Sequence, residues 1–257
     1  MLKVTDAQLE VLSLGKRAQF LRDLEARLTE RNPHLVATFD DARMHAVVEG
    51  AVAAAATHGF THRGPIRFYL DVCIAFGSGF ADDPIYPWAR QALGDPDPDT
   101  QSKRAEALFT RCTAAIDEIH GPEDVWTRDA LAALLVWARS DRRFPAAEGL
   151  ADYAAAQMTM LHPQKAAHGG EAALRAIFDQ AVRACAGGGV DAPQPIMLIT
   201  ALKFAFGAGC LTDPIYGWIG ATLRDDRVLD PADRLARLER KSLTWLEAVV
   251  ARQTKDA

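Results

Sequence analysis

The chain has 257 residues, of which 49% are apolar and 25% charged, with a formal net charge of -5. This length and composition suit one large globular domain or two smaller ones and exclude a disordered or fibrous chain. The acidic balance argues against a general nucleic-acid binder and is compatible with a cationic protein partner.

Residues 1–14 carry Asp6 and Glu10 and show no apolar run before a small-residue cleavage site, so no signal peptide is expected. Apolar runs such as 51–56 and 131–138 are too short to cross a bilayer, so no membrane partner is expected. Cys73, Cys112, Cys185 and Cys210 are far apart and form no Cys-x-x-Cys pair. Such cysteines are expected to be small buried apolar residues in a reducing compartment, which predicts a cytoplasmic location.

In chain order, Thr5 or Asp6 can cap a helix that runs to about Arg31 and stops at Asn32-Pro33. Its apolar positions Leu9, Leu12, Phe20, Leu24 and Leu28 recur mostly at helical spacing. Asp40 or Asp41 opens a second helix to about His58, which Gly59 closes as a left-handed cap. A third is predicted from near Pro65 to Phe76, and a short fourth from Pro84 to Leu93. Asp95-Pro96-Asp97-Pro98-Asp99 reads as a rigid acidic turn before a fifth helix over about 100–119. An extra helix is expected over 126–139, with Leu131, Leu134, Leu135 and Trp137 on or near one side. The same plan then recurs over about 145–253, its last helix opening at Asp230-Pro231. Runs of alternating β-branched residues are absent. The fold class expected is therefore all-α.

The recurrence extends to residue identity. The segment Phe76-Gly77-Ser78-Gly79-Phe80-Ala81-Asp82-Asp83-Pro84-Ile85-Tyr86-Pro87-Trp88 aligns without a gap with Phe206-Gly207-Ala208-Gly209-Cys210-Leu211-Thr212-Asp213-Pro214-Ile215-Tyr216-Gly217-Trp218, 130 residues later. Pro33 and Pro163, Gly59 and Gly189, Pro65 and Pro195, and Leu108 and Leu238 pair at the same offset. Two tandem copies of one helical unit are therefore expected: residues 1–121, then a linker helix within 122–144, then residues 145–257.

In the shared segment, the glycines are expected to end one helix and Asp83 to cap the next, with Pro84 at its first position. Phe76, Ile85, Tyr86 and Trp88 then set the interhelix angle by packing. The alternative makes Tyr86, Trp88, Tyr216 and Trp218 partly exposed binding anchors. The Gly-x-Gly element lacks the third glycine, the preceding strand and the lysine-serine pair of a phosphate loop.

Neither a catalytic motif nor a metal motif is recognisable, so no catalytic residue, metal or cofactor is expected. His58 and His62 stand four apart, but Gly59 and Gly64 place them in a loop, with no third ligand nearby. The acidic turn lacks the glycine and glutamate of a calcium loop. Asp71 lies mid-helix among apolar neighbours, where a surface-facing position competes with a buried functional one. The copies diverge most at His62-Arg63-Gly64 against Ala192-Pro193-Gln194, and at Arg67, Tyr69 and Asp71 against Met197, Ile199 and Ala201. Specificity is expected at such differences.

The corner Phe76-Gly77-Ser78-Gly79-Phe80-Ala81-Asp82-Asp83-Pro84-Ile85-Tyr86-Pro87-Trp88-Ala89 resembles uncharacterised bacterial helical proteins encoded among type VI secretion toxin genes. The first copy resembles them well and the second more loosely, since Gly217 and Ile219 replace the proline and alanine. The resemblance transfers no catalytic residue. It implies an accessory role, as toxin chaperone, adaptor or immunity protein, with a secreted toxin as protein partner. A groove between tandem helical units suits that task. The alternative is a helical enzyme or small-ligand protein with a pocket between the copies, lined by Tyr69, Asp71 and the aromatic corners. A deep cavity with converging polar groups would favour the second reading, and a broad apolar groove the first.

Overall fold

The computed structural model describes the backbone of residues 6–94 and 101–256 and the side chains of 15–94 and 101–253. Twelve α-helices and no strand occur among the described residues, so the protein is all-α. No described helix is long and apolar enough to cross a membrane. The acidic turn at 95–99, the cap at Thr5 and the side chains of Leu9 and Leu12 lie outside the described set.

The first half comprises α1 (Asp6–Arg31), the short α2 (Pro33–Val36), α3 (Asp41–Thr57), α4 (Arg63–Phe76), α5 (Pro87–Gly94) and α6 (Gln101–Ile119). After α7 (Val125–Arg139) come α8 (Ala147–Leu161), α9 (Pro163–Gly187), α10 (Pro193–Phe206), α11 (Gly217–Leu223) and α12 (Pro231–Asp256). Helices α4 and α10 start and stop 130 residues apart at both ends. α9 covers the counterparts of α2 and α3 in one element, interrupted at Gly170, whose φ is 74°. The corresponding residue, Asp40, caps α3 by accepting a hydrogen bond from the Arg43 N–H at 2.8 Å. A glycine in the left-handed region and a capped helix start are thus two chemical answers to the same bend.

One helix boundary differs from the sequence expectation. Pro84 does not begin a helix: residues 83–86 form a turn and α5 starts at Pro87. Asp83 shapes this turn and has a second duty. Its Oδ1 accepts from the Ile85 N–H at 2.9 Å, and its Oδ2 reaches across the molecule to the Ala208 N–H at 2.7 Å. Asp213 mirrors it, with Oδ1 on the Ile215 N–H at 2.9 Å and Oδ2 on the Ser78 N–H at 2.8 Å. Each carboxylate therefore shapes its own turn and satisfies a backbone donor just beyond the end of the other half's helix, α10 or α4. Such reciprocity is the contact geometry of a two-fold dimer, here within one chain.

Glycine is required where the two helix ends meet. Gly77 has φ 92° and ψ 152°, and Gly207 has φ 96° and ψ 151°, a region open essentially only to glycine. A Cβ on Gly77 would lie 3.1 Å from the Phe206 carbonyl oxygen, and one on Gly207 would lie 3.0 Å from that of Phe76. Gly79 and Gly209 also face each other, each built Cβ falling within about 3.6 Å of the other's Cα.

The buried side chains form two clusters whose border does not follow the order of the chain. One gathers α1 and α3–α6 but also Met158 of α8 and Ala166, Ala173, Leu174 and Ile177 of α9. The other holds α7, α10 and α12, with Phe178, Ala181 and Cys185 from the remaining face of α9. Helix α9 is therefore shared, and it wedges the second half into the first.

Two stability outcomes follow. Gly77→Ala and Gly207→Ala are each expected to cost about 2 kcal/mol or more, through backbone strain and the carbonyl contact. Asp83→Asn is expected to cost about 2 kcal/mol, because an amide offers one acceptor oxygen to two buried N–H groups. Urea titrations followed by circular dichroism check both, and variants that unfold with the wild-type midpoint would contradict them. Trp88, 7% exposed, packs at 5.5 Å from Phe76, whereas Trp218 is only partly buried and stacks on Trp245 at 6.3 Å. Trp88→Ala is accordingly expected to cost about 3–5 kcal/mol, and Trp218→Ala clearly less, in the same titrations.

Candidate functional site

Between the two halves lies a cavity of about 910 Å³. Its walls come from α4 and α6 on one side, including Phe68, Ile74 and Ile116, and from α7, α10 and α12 on the other, including Leu131, Phe206 and Trp245. Tyr86 and Tyr216, the paired tyrosines of the repeated segment, both line it. Neither phenol oxygen has a hydrogen-bond partner among the described residues. Burial holds both phenols above the usual tyrosine range, so they stay protonated and can donate.

The charged centre of this cavity is Lys165, in the first turns of α9. It is 6% exposed, and its Nζ lies 5.5 Å from the ring centres of both Tyr86 and Phe204. The single hydrogen bond of this Nζ among the described residues is a long one, 3.4 Å to the Ala205 carbonyl oxygen. Burial lowers its pKa from 10.5 to about 8, against the smaller opposing pull of Asp83. An ammonium with three protons and one weak acceptor leaves donors to be satisfied. Lys203 is also buried but is otherwise employed, since its Nζ donates to the Ala208 carbonyl and, at 3.3 Å, to Gln180 Oε1.

Two histidines adjoin. His162 begins α9, and its Nδ1 accepts from the Lys165 backbone N–H at 3.3 Å. Burial, seconded by the Lys165 charge, lowers its pKa to about 4. It is therefore neutral near pH 7, and its side chain also pairs with that of Gln164. His120 is lowered by burial too, and its Nδ1 pairs with the Thr127 hydroxyl at 3.1 Å. At the rim, Asp71 binds Arg27 at 2.7 Å and Arg31 at 3.1 Å. Arg128 also lines the cavity, partly buried, and has no ion-pair partner among the described residues. The inner surface is thus rich in donors and the rim is charged.

The residues expected from sequence divide accordingly. Tyr86, Tyr216 and Asp71 line the cavity. Tyr69 does not: it is 1% exposed and packs within the first cluster, 5.0 Å from Phe80 and 6.2 Å from Phe60. Its position on α4 faces the core, opposite to the side that carries Asp71. Trp88 backs Tyr86 at 6.1 Å, Trp218 stacks on Trp245, and neither lines the cavity itself. His58 and His62 form no ligand set, and no group of three or more metal-ligating side chains occurs among the described residues. The four cysteines are buried and free, their thiols pushed up by burial, to about 11 for Cys112 and about 12 for Cys210.

Lys165, His162, Lys203 and His120 were not singled out from sequence. A signal existed for the lysines: the 130-residue offset sets Lys165 against Leu35 and Lys203 against Cys73, charged residues at positions the other half keeps apolar.

No protein-family model matches the chain, and neither a curated protein nor a solved structure matches it.

The buried amine carries a pH signature. Between pH 8 and 10.5 the unfolded chain keeps the Lys165 proton and the folded chain has released it, so stability rises with pH across that window. Relative to Lys165→Met, which lacks the titration, the wild type should gain on the order of 3 kcal/mol over that interval. Denaturant titrations of both proteins at several pH values check this, and parallel pH profiles would contradict it.

Proposed function

We propose that the protein binds a small organic ligand in the cavity between its halves, with oxygen acceptors of that ligand, carboxylate or carbonyl, directed at Lys165. The observation that carries this reading is a buried lysine with one long hydrogen bond at the floor of a cavity of about 910 Å³. Concave, mostly apolar sites with a few convergent polar groups are where small molecules bind. The apolar walls accommodate a hydrocarbon or aromatic body, and the two phenols add donors beside the ammonium. Whether the ligand is held or transformed, the same floor groups meet its polar end.

The protein-partner expectation, a secreted toxin included, draws less support from the surface. The exposed large apolar side chains Phe109, Val136, Met160 and Leu229 belong to α6, α7, α8 and the segment before α12, and so supply single contacts on separate elements.

Thermal-shift screening against small aromatic and aliphatic carboxylates and carbonyl compounds tests the proposal. A ligand at about ten times its Kd should raise the melting temperature by about 3 °C or more. Lys165→Met should abolish that rise. A panel without a stabiliser, or equal shifts in the variant, would contradict the proposal.

A further inference from the structure

We infer that Lys165 is a nucleophilic amine that condenses with the carbonyl of an aldehyde or ketone bound in the cavity, forming an imine. This rests on the cavity reading above and gives its ligand a reactive group.

Of the two buried lysines, Lys203 is engaged through its Nζ by a carbonyl and an amide oxygen. Lys165 is left with the 3.4 Å contact to Ala205 and with no carboxylate at ion-pair distance among the described residues. Asp83, the acid that acts on it electrostatically, has both oxygens engaged by backbone N–H groups. Such an environment disfavours the ammonium, so a substantial fraction of neutral amine exists near pH 7.5, the condition for a nucleophilic lysine. A solvated lysine would be almost wholly protonated at that pH.

The step balances without a further reactant. The neutral amine adds to the carbonyl carbon, the C–N bond forms, and the carbonyl π pair moves to oxygen. That oxygen takes up the proton released by nitrogen to give a carbinolamine. Protonation of its hydroxyl and expulsion by the nitrogen lone pair then release water and leave the C=N bond, with no change of oxidation state. The phenols of Tyr86 and Tyr216 line the same cavity as the donors for that oxygen. Arg128, on the cavity wall and without an ion-pair partner among the described residues, supplies charge for an anionic substituent elsewhere on the ligand.

The probe is 4-formylbenzoate with sodium cyanoborohydride at pH 7.5, followed by intact mass and peptide mapping of the full chain. Lys165 is expected to be alkylated about tenfold faster, or more, than Lys16 and Lys241, as its desolvation implies. Lys165→Arg should lose that modification, with circular dichroism confirming that the variant is folded at the assay temperature. Thermal shift with 4-methylbenzoate, which has no carbonyl to condense, separates binding from chemistry. Stabilisation by 4-methylbenzoate with Lys165 unmodified by the aldehyde would overturn the imine and leave the cavity reading standing. Modification confined to the exposed lysines, with no stabilisation by either compound, would overturn both.

Discussion

The structure depends on a pair of reciprocal bonds, each a buried carboxylate accepting a backbone N–H just past the end of the opposite half's helix. Asp83 holds Ala208 and Asp213 holds Ser78, at 2.7 and 2.8 Å. Both acids are 4% exposed or less, and burial raises their pKa even though each accepts two backbone N–H groups. A carboxylate in such a place is costly unless its bonds are made, so the two halves are tied to one relative position. Much of the repeated segment follows from this contact. The glycines allow the helix ends to touch, the aspartates bridge them, and the prolines stiffen the turns that present the aspartates. The segment recurs because each half must dock on the other, as well as fold by itself.

The cavity lies between the two halves, and its chemistry comes from positions at which the two copies of the sequence differ. Tyr86 and Tyr216 approach the cavity from equivalent positions. Lys165 and His162 stand where the first half has Leu35 and Asn32. One half therefore contributes the polar floor, while Phe68, Ile74 and Ile116 of the other contribute apolar wall. The scaffold bears the cost of burying an ammonium because α9, wedged between both hydrophobic clusters, fixes the start of its own helix there. Such strongly shifted groups in a cleft are a recurrent mark of functional sites.

Much of this was legible in the sequence, and the parts that were not share a physical reason. Helical periodicity, caps and prolines located α1, α3, α4, α6 and α7 closely, because those signals are local. Phe76, Tyr86 and Trp88 pack as a group, as the packing reading of that corner expects. Asp83 was recognised as a capping residue but not as a bridge, because its second bond closes over 125 residues and no local pattern encodes it. Tyr69 was misplaced for a related reason: on a helix buried over most of its surface, neighbours two residues apart face the core and the cavity respectively. Lys165 escaped notice because a lysine near a helix start reads as a solvated residue until the packing of α9 is known.

The central claim is that Lys165 is a desolvated amine on the floor of the cavity between the halves. Its side-chain titration, followed by ¹³C NMR of selectively labelled lysines with Lys165→Arg for assignment, tests this most directly. A midpoint near 8 that moves when the cavity is occupied is the predicted result. A midpoint near the ordinary 10.5, unaffected by any cavity ligand, would contradict the account.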